Sequence, residues 1–529
     1  MKSVMAHNFS QVPTADIQRS SFVRSSGYKT TIDGGTLYPF FCDEVLPGDT
    51  FNLSTHGFCR MATPLYPVMD NLFMDTHFFF VPNRLVWDNW EKMMGAQINP
   101  GDSTDFLIPQ VTAPVGGFPE GSIYDYFGIP TKIDNLSVNA LPLRAYALIY
   151  NDWFRDQNLQ SSQPVPTDDG PDPDTGNVLK RRGKRHDYFT SCLPWPQKGD
   201  SVDIPIGTTA PILPGGQTSL DADAYFQGEN GFYGNLQAGA AGADVSADIN
   251  TGNINDQWQA GEFIYPALVA DLSNATAATI NQLRQAFQVQ KMYERDARGG
   301  TRYIEVIKAH FNVSSPDARL QRPEYLGGGS TPINIHQVAQ TSNIDSVGGD
   351  GTVGQLGAYG TAGGRQGGFT KSFTEHGFII GVVSVRADLT YQQGLNKMWS
   401  RRDRFDHYFP ALAHLGEQAV LNKEIYAQGT DQDDDVFGYQ ERFAEYRYKP
   451  SLITGQFRSN AATPLDAWHL SQDFDNLPVL DNAFITERPP IDRVVATPDE
   501  PNFICDFYHQ LITARPMPIN GIPGYIDRF

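Results

Sequence analysis

The chain is poor in cysteine. Four cysteines are scattered over 529 residues, and no CxxC pair occurs. So few and so dispersed thiols argue against a disulfide framework and predict reduced cysteines, as in a protein of cytosolic origin. The first residues lack the apolar segment of a secretory signal. No run of 18 or more apolar residues occurs either, so we expect no membrane span.

The sequence also lacks the common catalytic motifs. It has no GxxxxGK[ST] phosphate loop, no HExxH zinc pair and no GxSxG nucleophile turn. Asp431, Asp433 and Asp435 resemble the start of a calcium loop, but Val436 and Arg442 replace the glycine and the glutamate that such a loop requires. We therefore expect a solvated acidic turn there, with weak ion binding as the alternative. No enzyme activity, cofactor or metal is predicted.

The composition that remains favours a globular, mainly β protein. Hydrophobic residues make up 40% and aromatic residues 12%, which is enough for a core. The 49 glycines and 36 prolines predict many turns between short strands. Against 60 acidic residues stand 40 basic ones, a net charge of −20, which argues against a surface that coats DNA generally.

Periodicity predicts particular elements. Strands are expected within 37–61, at 72–82, at 301–313, at 378–389 and at 503–518; the fourth of these should be buried on both faces, and the last alternates. Helices are expected at 84–94 with Asn83 as cap, at 141–154 and at 276–297. The glycine-rich stretches at 327–329 and 348–368 are interpreted as loops, and the second has ten glycines in 21 positions.

The same patterns divide the chain into four parts. Residues 1–32 form a mildly basic N-terminal arm that either seeks a partner or frays. Residues 33–198 and 273–529 form the core, with a Gly-rich loop at 347–368. Between them, 199–272 is a surface insertion, since Gly199–Leu283 holds ten acidic residues and no Lys or Arg. The insertion is either a contact surface or an ordinary surface excursion.

One short segment concentrates positive charge. Five of the six residues from 180 to 185 are cationic, namely Lys180, Arg181, Arg182, Lys184 and Arg185. His186, Tyr188 and Phe189 follow, and cations interleaved with aromatics can hold phosphates while bases stack. Alternatively, the cations balance the acids of 168–174 or those of a neighbouring subunit. We call Lys180–Arg185 the basic run.

Several blocks carry a resemblance to a known family. They are MAHNFSQVPTADIQRSSFVRSSGYKTT near the N-terminus, TLYPFFCDEVLPGDTFNLSTHGFCRM after it, LPLRAYALIYNDWFRDQNL, HDYFTSCLPWPQKG and the C-terminal PINGIPGYIDRF. In these blocks the chain resembles the major capsid proteins of the Microviridae, of the gokushovirus type. The match covers nearly the whole length and is weak at 199–271 and 348–368.

The resemblance implies an eight-stranded antiparallel viral jelly roll with long loop insertions and a few helices. It implies a T=1 icosahedral shell, a homo-oligomer, around a circular single-stranded DNA genome, with a small basic internal DNA-binding protein. It also implies that the insertion forms a protrusion at the threefold axes that attaches to a receptor on the bacterial host. The chain would then reside in the virion after synthesis in the host cytoplasm.

Candidate residues follow from these expectations. The candidates for nucleic-acid binding are the five cations of the basic run together with Arg19 and Arg24. The candidates for host attachment are the large apolar residues of the insertion: Tyr225, Phe226, Phe232, Tyr233 and Trp258. The competing class is a jelly-roll carbohydrate-binding protein or glycoside hydrolase. A spike or fibre component is a weaker rival, since it usually brings repeats or heptads, and neither occurs.

Overall fold

The structure is a computed structural model, and it describes most but not all of the chain. The described residues are 18–200, 280–300, 302–312, 321–341 and 353–520, with residue 202 and the strand segments 212–214, 224–227, 233–237, 246–248, 268–270, 344–346 and 349–351.

Strands dominate these residues. In chain order they are β1 Ser20–Val23, β2 Ser26–Ile32, β3 Thr36–Val45, β4 Thr50–Met61, β5 Leu72–Pro82, β6 Gln110–Thr112, β7 Ser137–Asn139, β8 Lys180–Arg181, β9 Ile212–Pro214, β10 Ala224–Gln227, β11 Tyr233–Gln237, β12 Ser246–Asp248, β13 Leu268–Ala270, β14 Glu324–Ala339, β15 Ile344–Ser346, β16 Gly349–Gly351, β17 Leu356–Ser372, β18 Gly377–Ala387, β19 Glu417–Leu421, β20 Val436–Glu441 and β21 Phe503–Arg515.

Helices are fewer and mostly short. They are α1 Trp90–Met93, α2 Ile123–Tyr126, α3 Leu141–Ile149, α4 Ile280–Gly299, α5 Tyr303–Phe311, α6 Asn422–Ile425 and α7 Asn482–Ile485. A π-helical turn, Tyr150–Phe154, continues α3. Within the described ranges, no helix combines the length and the apolar character that crossing a membrane requires.

The largest sheet among the described residues folds over on itself. It has ten strands: nine are joined in the order β1-β21-β4-β17-β14-β5-β18-β3-β8, and the tenth, β2, pairs with β21. All these pairs are antiparallel. The strand β14 links two layers, because Glu324–Ile333 pairs with β5 and Asn334–Ala339 pairs with β17. One layer therefore contains β21, β4 and β17, and the other β5, β18 and β3.

The main core lies between these two layers. Phe40 of β3 packs on Phe507 of β21, with ring centroids 4.9 Å apart. Phe78 of β5 packs on Phe369 of β17 at 5.8 Å. Rings from both layers thus meet in one apolar cluster, which is the arrangement of a β-sandwich. This confirms the predicted mainly β, antiparallel class with a few helices. The eight-stranded jelly-roll topology stays a prediction.

A second apolar cluster covers the back of the layer formed by β5, β18 and β3. There α3 buries Leu143, Tyr146 and Ile149 against that layer. The Tyr146 hydroxyl donates to the carbonyl oxygen of Leu37 in β3 at 2.8 Å. Because this layer is covered on both sides, every residue of β18 is buried, as its nearly continuous apolar sequence predicts.

The chain divides into two compact units. One contains the chain up to Pro196 and from Asp296 onward, and the other is Gln197–Arg295. The predicted insertion 199–272 lies within the second unit. Of the residues predicted as an N-terminal arm, Ser20–Val23 and Ser26–Ile32 are strands, and both pair with β21.

The interpretation of the glycine-rich stretches as loops is wrong. Gly327–Gly329 lies inside β14, and the second stretch includes most of β17. The two strands cross where backbones pack closely. A Cβ on Gly328 would lie 2.1 Å from the Thr76 carbonyl oxygen, and one on Gly368 would lie 2.1 Å from the Leu53 carbonyl oxygen. Glycine is required there for close approach and not for a turn.

Two predicted elements also differ from the structure. Residues 301–313 were expected to form a strand but contain α5, whose first turn is closed by Glu305 accepting from the Arg302 backbone N–H at 3.0 Å. Residues 84–94 do not form one helix. The Asp88 N–H donates to Thr167 at 2.9 Å, outside any helix, and only Trp90–Met93 is helical.

Candidate assembly and nucleic-acid surfaces

Most of the basic run is tied into the protein. Arg182 donates to Asp75 at 2.8 Å, and Arg386 donates to the same carboxylate oxygen at 2.8 Å. Burial alone would raise the pKa of Asp75, but the Ser330 hydrogen bond and the two guanidinium groups hold this pKa below its ordinary value. Arg182 thus neutralises an interior carboxylate.

The neighbouring cations are also engaged. Lys184 is buried, with its ammonium 4.4 Å from the centre of the Phe484 ring, and burial lowers the pKa of Lys184 to about 8. Arg181 donates to the Gly34 carbonyl oxygen at 3.1 Å, and Lys180 donates to the Gln163 side chain. Of the five cations, Arg185 alone is exposed.

The aromatic residues after the run belong to a third apolar cluster. Tyr188 and Phe189 are buried, and the Tyr188 hydroxyl donates to Glu424 at 2.9 Å. They are therefore not available for stacking on bases. The acids of 168–174 have other partners: Asp172 pairs with Arg144, and Asp169 accepts from the Trp87 indole. A nucleic-acid role for the run stays a prediction, and the geometry restricts it to Arg185.

The two N-terminal arginines differ from one another. Arg24 makes two hydrogen bonds to Asp43, at 2.7 and 2.8 Å, so an acidic partner already balances its charge. Arg19 is exposed and donates to the Thr50 hydroxyl at 2.8 Å. Arg19 keeps a charge without an acidic partner among the described residues.

The attachment candidates are only partly described. Tyr225 and Phe226 lie in β10, and Tyr233 begins β11. Phe232 and Trp258 lie outside the described residues. The role of these five residues stays a prediction.

The acidic turn at 431–435 is held by hydrogen bonds. Asp431–Asp434 is a 3-10 turn in which the Asp433 carboxylate accepts from the backbone N–H groups of Gln428 and Gly429, at 2.9 and 2.7 Å. Asp434 pairs with Lys423. These carboxylates serve to close the turn. Among the residues that the structure describes, no group of three or more potential ligands could hold a metal ion.

An exposed aromatic surface lies on a segment that follows β18. We call it the aromatic surface and define it by the exposed apolar residues of this segment and one neighbour: Met398, Trp399, Phe405, Tyr408, Phe409, Leu415 and Tyr446. Trp399 is 72% exposed, and Phe405 is 56% exposed. Two of its rings, Tyr408 and Tyr446, lie with their centroids 6.3 Å apart. Groups of exposed apolar side chains often mark sites of association with other proteins.

The aromatic surface is held on a fixed backbone. Asp403 accepts from the N–H groups of Phe405 and Asp406, at 2.7 and 3.1 Å. Arg401 lies 4.3 Å over the Tyr446 ring and pairs with Glu445 at 3.0 Å. Ordered aromatic anchors lose little entropy on binding, which suits them to specific contacts.

The sequence itself carries a signal for this surface. Between 398 and 415, large apolar residues are mixed with arginine and aspartate. Their spacing follows neither the period of a helix nor that of a strand. Such residues cannot form one buried face. Aromatic residues outside any period, in a chain with enough core elsewhere, indicate a contact surface.

The described residues form a β-sandwich that exposes an aromatic surface. Comparison with known proteins shows the class to which this chain belongs. The family described as "Capsid protein (F protein)" matches residues 10–525. The chain belongs to this family of phage capsid proteins.

Individual relatives agree with the family. The chain is 51% identical to capsid protein VP1 of Bdellovibrio phage phiMH2K, over 99% of this chain and 98% of the relative. It is 46% identical to capsid protein VP1 of Chlamydia phage 1, over 99% and 98%. VP1 of Spiroplasma virus 4 is 36% identical, over 98% and 97%. All three are Microviridae proteins, which confirms the predicted family.

Family membership decides between the classes that the sequence left open. The chain is a structural capsid protein of the virion and not an enzyme. As a capsid protein it is one chain of a multimeric shell.

Proposed function

We propose that the chain closes into a T=1 icosahedral shell around a circular single-stranded DNA genome. The aromatic surface is the observation that carries this proposal. A closed shell needs patches that bury against identical copies under symmetry, and Trp399, Phe405 and their neighbours provide apolar area that is exposed among the described residues.

We also propose a small basic internal protein as a partner. With 60 acidic and 40 basic residues the chain cannot neutralise a packaged polyanion by its overall charge. A separate basic protein supplies that charge. Synthesis in the host cytoplasm belongs to the same proposal and suits a chain whose four cysteines are free.

For the segment 199–272 we propose attachment to a receptor on the bacterial surface. Its support is compositional: Gly199–Leu283 carries ten acidic residues and no cation, unlike the rest of the chain. A segment that does not follow the charge balance of the core is suited to a contact of its own.

The shell proposal is tested by expressing the chain alone and with a basic internal protein. Electron microscopy should show uniform particles, and a reconstruction should contain one chain per icosahedral asymmetric unit. Nucleic acid released by heat should be degraded by a nuclease specific for single strands. Purified chain that stays monomeric at every salt concentration and pH tried counts against the proposal.

The attachment proposal needs a separate test. Particles that lack 210–261 should form normally but adsorb to host bacteria at least tenfold less than unmodified particles. If deletion abolishes assembly, the segment is a structural part of the shell. If adsorption is unchanged, attachment resides elsewhere.

A further inference from the structure

The side of the β21–β4–β17 layer that points away from the core carries aromatic and cationic side chains. Along β4 the burial alternates, so that Leu53, Thr55 and Cys59 point inward and His56, Phe58 and Arg60 point outward. We call this side the outer sheet face and define it by nine exposed residues of five neighbouring strands: Lys29, His56, Phe58, Arg60, His336, Tyr359, Arg365, Asp506 and Tyr508.

The register places cations beside rings. Tyr508 is opposite His56, which is opposite Arg365. One row further, Phe58 lies between Asp506 and Gly363. Directly paired side chains on a sheet have Cβ atoms about 4.5–5.5 Å apart, and diagonal pairs such as Phe58 and Tyr508 about 7–8 Å.

The rings on this face are open to solvent. Phe58 is 53% exposed and Tyr508 is 52% exposed. Gly363 has no side chain to cover the Phe58 ring, and a Cβ on Gly364 would meet no atom within 4 Å. At the end of the face, Tyr359 stacks on His336 with ring centroids 5.1 Å apart. A planar group can therefore approach these rings from solvent.

The charges on the face do not cancel. Asp506 pairs with Lys29 at 3.1 Å. Arg60 and Arg365 are exposed, and no ion pair joins either of them to a described residue. In a protein with a net charge of −20, an outward surface with two unbalanced arginines and one balanced acid is a local positive patch.

We propose that the outer sheet face binds single-stranded nucleic acid. Bases stack on Phe58 and Tyr508, and the backbone phosphates lie against Arg60 and Arg365. Sheets that present rings among cations bind single strands in this way, because unpaired bases have free faces and every nucleotide carries a phosphate. A duplex keeps its bases stacked on each other and cannot use the rings. A second copy of the chain is a less suitable occupant of this face. Its binding would remove Arg60 and Arg365 from water, which is unfavourable unless each finds an acidic partner.

The inference rests on the proposed function only for the source of the nucleic acid, which is the packaged genome. Its test therefore uses unassembled chain, at concentrations below those that give particles, and a fluorescently labelled oligothymidylate. Replacing Phe58 and Tyr508 by alanine should weaken binding about tenfold for each ring, with the salt dependence unchanged. R60Q with R365Q should also weaken binding and reduce the slope of log affinity against log salt by about 1.4.

The chain offers matched controls. Arg402 and Lys449 are exposed cations on other segments, and Phe311 of α5 is an exposed ring that belongs neither to the outer sheet face nor to the aromatic surface. Replacing the first two by glutamine, or Phe311 by alanine, should leave oligothymidylate binding unchanged. R185Q measures the share of the basic run in the same assay. Circular dichroism and the melting temperature check that each variant is folded.

The possible outcomes separate the two proposals. Affinity for oligothymidylate that is the same in the face variants as in the unmodified chain overturns the inference, even if shells form. Equal loss in the face and control variants overturns it as well, because binding is then nonspecific. Loss of particles with intact DNA binding counts against the shell and leaves the nucleic-acid face standing. Stronger binding of a duplex than of the single strand also contradicts stacking on the rings.

Discussion

Replacing Arg144 by methionine should lower the free energy of unfolding by about 3–5 kcal/mol, since the change leaves an interior carboxylate without its cation. The Arg144 side chain is 1% exposed and its partner Asp172 is 6% exposed, with two hydrogen bonds between them, one of 2.7 Å from Nε. The same guanidinium donates to the carbonyl oxygens of Val86 and Asp168 at 3.0 and 2.9 Å. Methionine keeps the apolar stem and removes every one of these donors.

The measurement is the urea midpoint of unassembled chain, with K132M as matched control. Lys132 pairs with Glu120 at 3.0 Å, but the two side chains are 70% and 77% exposed, so the control should change stability very little. Adding D172L to R144M should recover much of the loss, because the unpaired carboxylate is then gone. Equal losses for R144M and K132M contradict the argument.

Arg144 also shows what periodicity can and cannot predict. The stripe of Tyr146, Ile149, Tyr150 and Trp153 correctly places a helix at 141–154, and Pro142 suits its first turn. Nothing in that pattern indicates that an arginine on the same helix is buried. Its partner, Asp172, belongs to the acids of 168–174, which the sequence offered as possible partners of the basic run and not of Arg144.

A strand was predictable where the apolar pattern of its own residues reflects which of its sides are buried. β18 is a nearly continuous apolar run and is buried throughout, and β21 alternates because only one of its sides faces the core. The glycine-rich strands were not predictable in this way. Gly328 and Gly368 are needed because of the Thr76 and Leu53 carbonyl groups, which are about 250 and 315 positions distant. Composition alone does not distinguish that requirement from a loop.

The same limit applies to the surfaces. The density of charge in the basic run predicts a solvated or anion-binding segment. In the structure, Arg182 pairs with Asp75 and Lys184 lies over the Phe484 ring, and both partners come from distant parts of the chain. By contrast, the strand expected at the end of 37–61 is present as β4, and its alternation already places Phe58 on the side of His56 and Arg60. An aromatic residue on the polar side of an alternating strand is the signal for the outer sheet face.

Replacing Trp399 and Phe405 by serine should abolish particle formation while leaving the chain folded. Both side chains are mostly exposed in the single chain, so little core packing is lost. In a shell these two side chains would be buried between copies. Truncating such an anchor lowers the free energy of association by about 2–4 kcal/mol. Because every copy uses the same patch, this loss recurs at each interface of a closed shell.

Size-exclusion chromatography and electron microscopy measure the result, with circular dichroism as the check of folding. The matched control is Leu107→Ser and Val115→Ser, since these side chains are 86% and 90% exposed but belong to a different segment of the chain from the aromatic surface. Single exposed apolar residues are common on monomers and carry no expectation of a contact, so this control should assemble normally.

Normal particles from the Trp399 and Phe405 variant contradict the assembly role of the aromatic surface. Failure of both variants would show only a general sensitivity to lost apolar area, and the role would then have to be withdrawn. If assembly fails only in the Trp399 and Phe405 variant, the contact between copies lies on the segment after β18. The side chains that make this contact are then not needed for the single chain to fold.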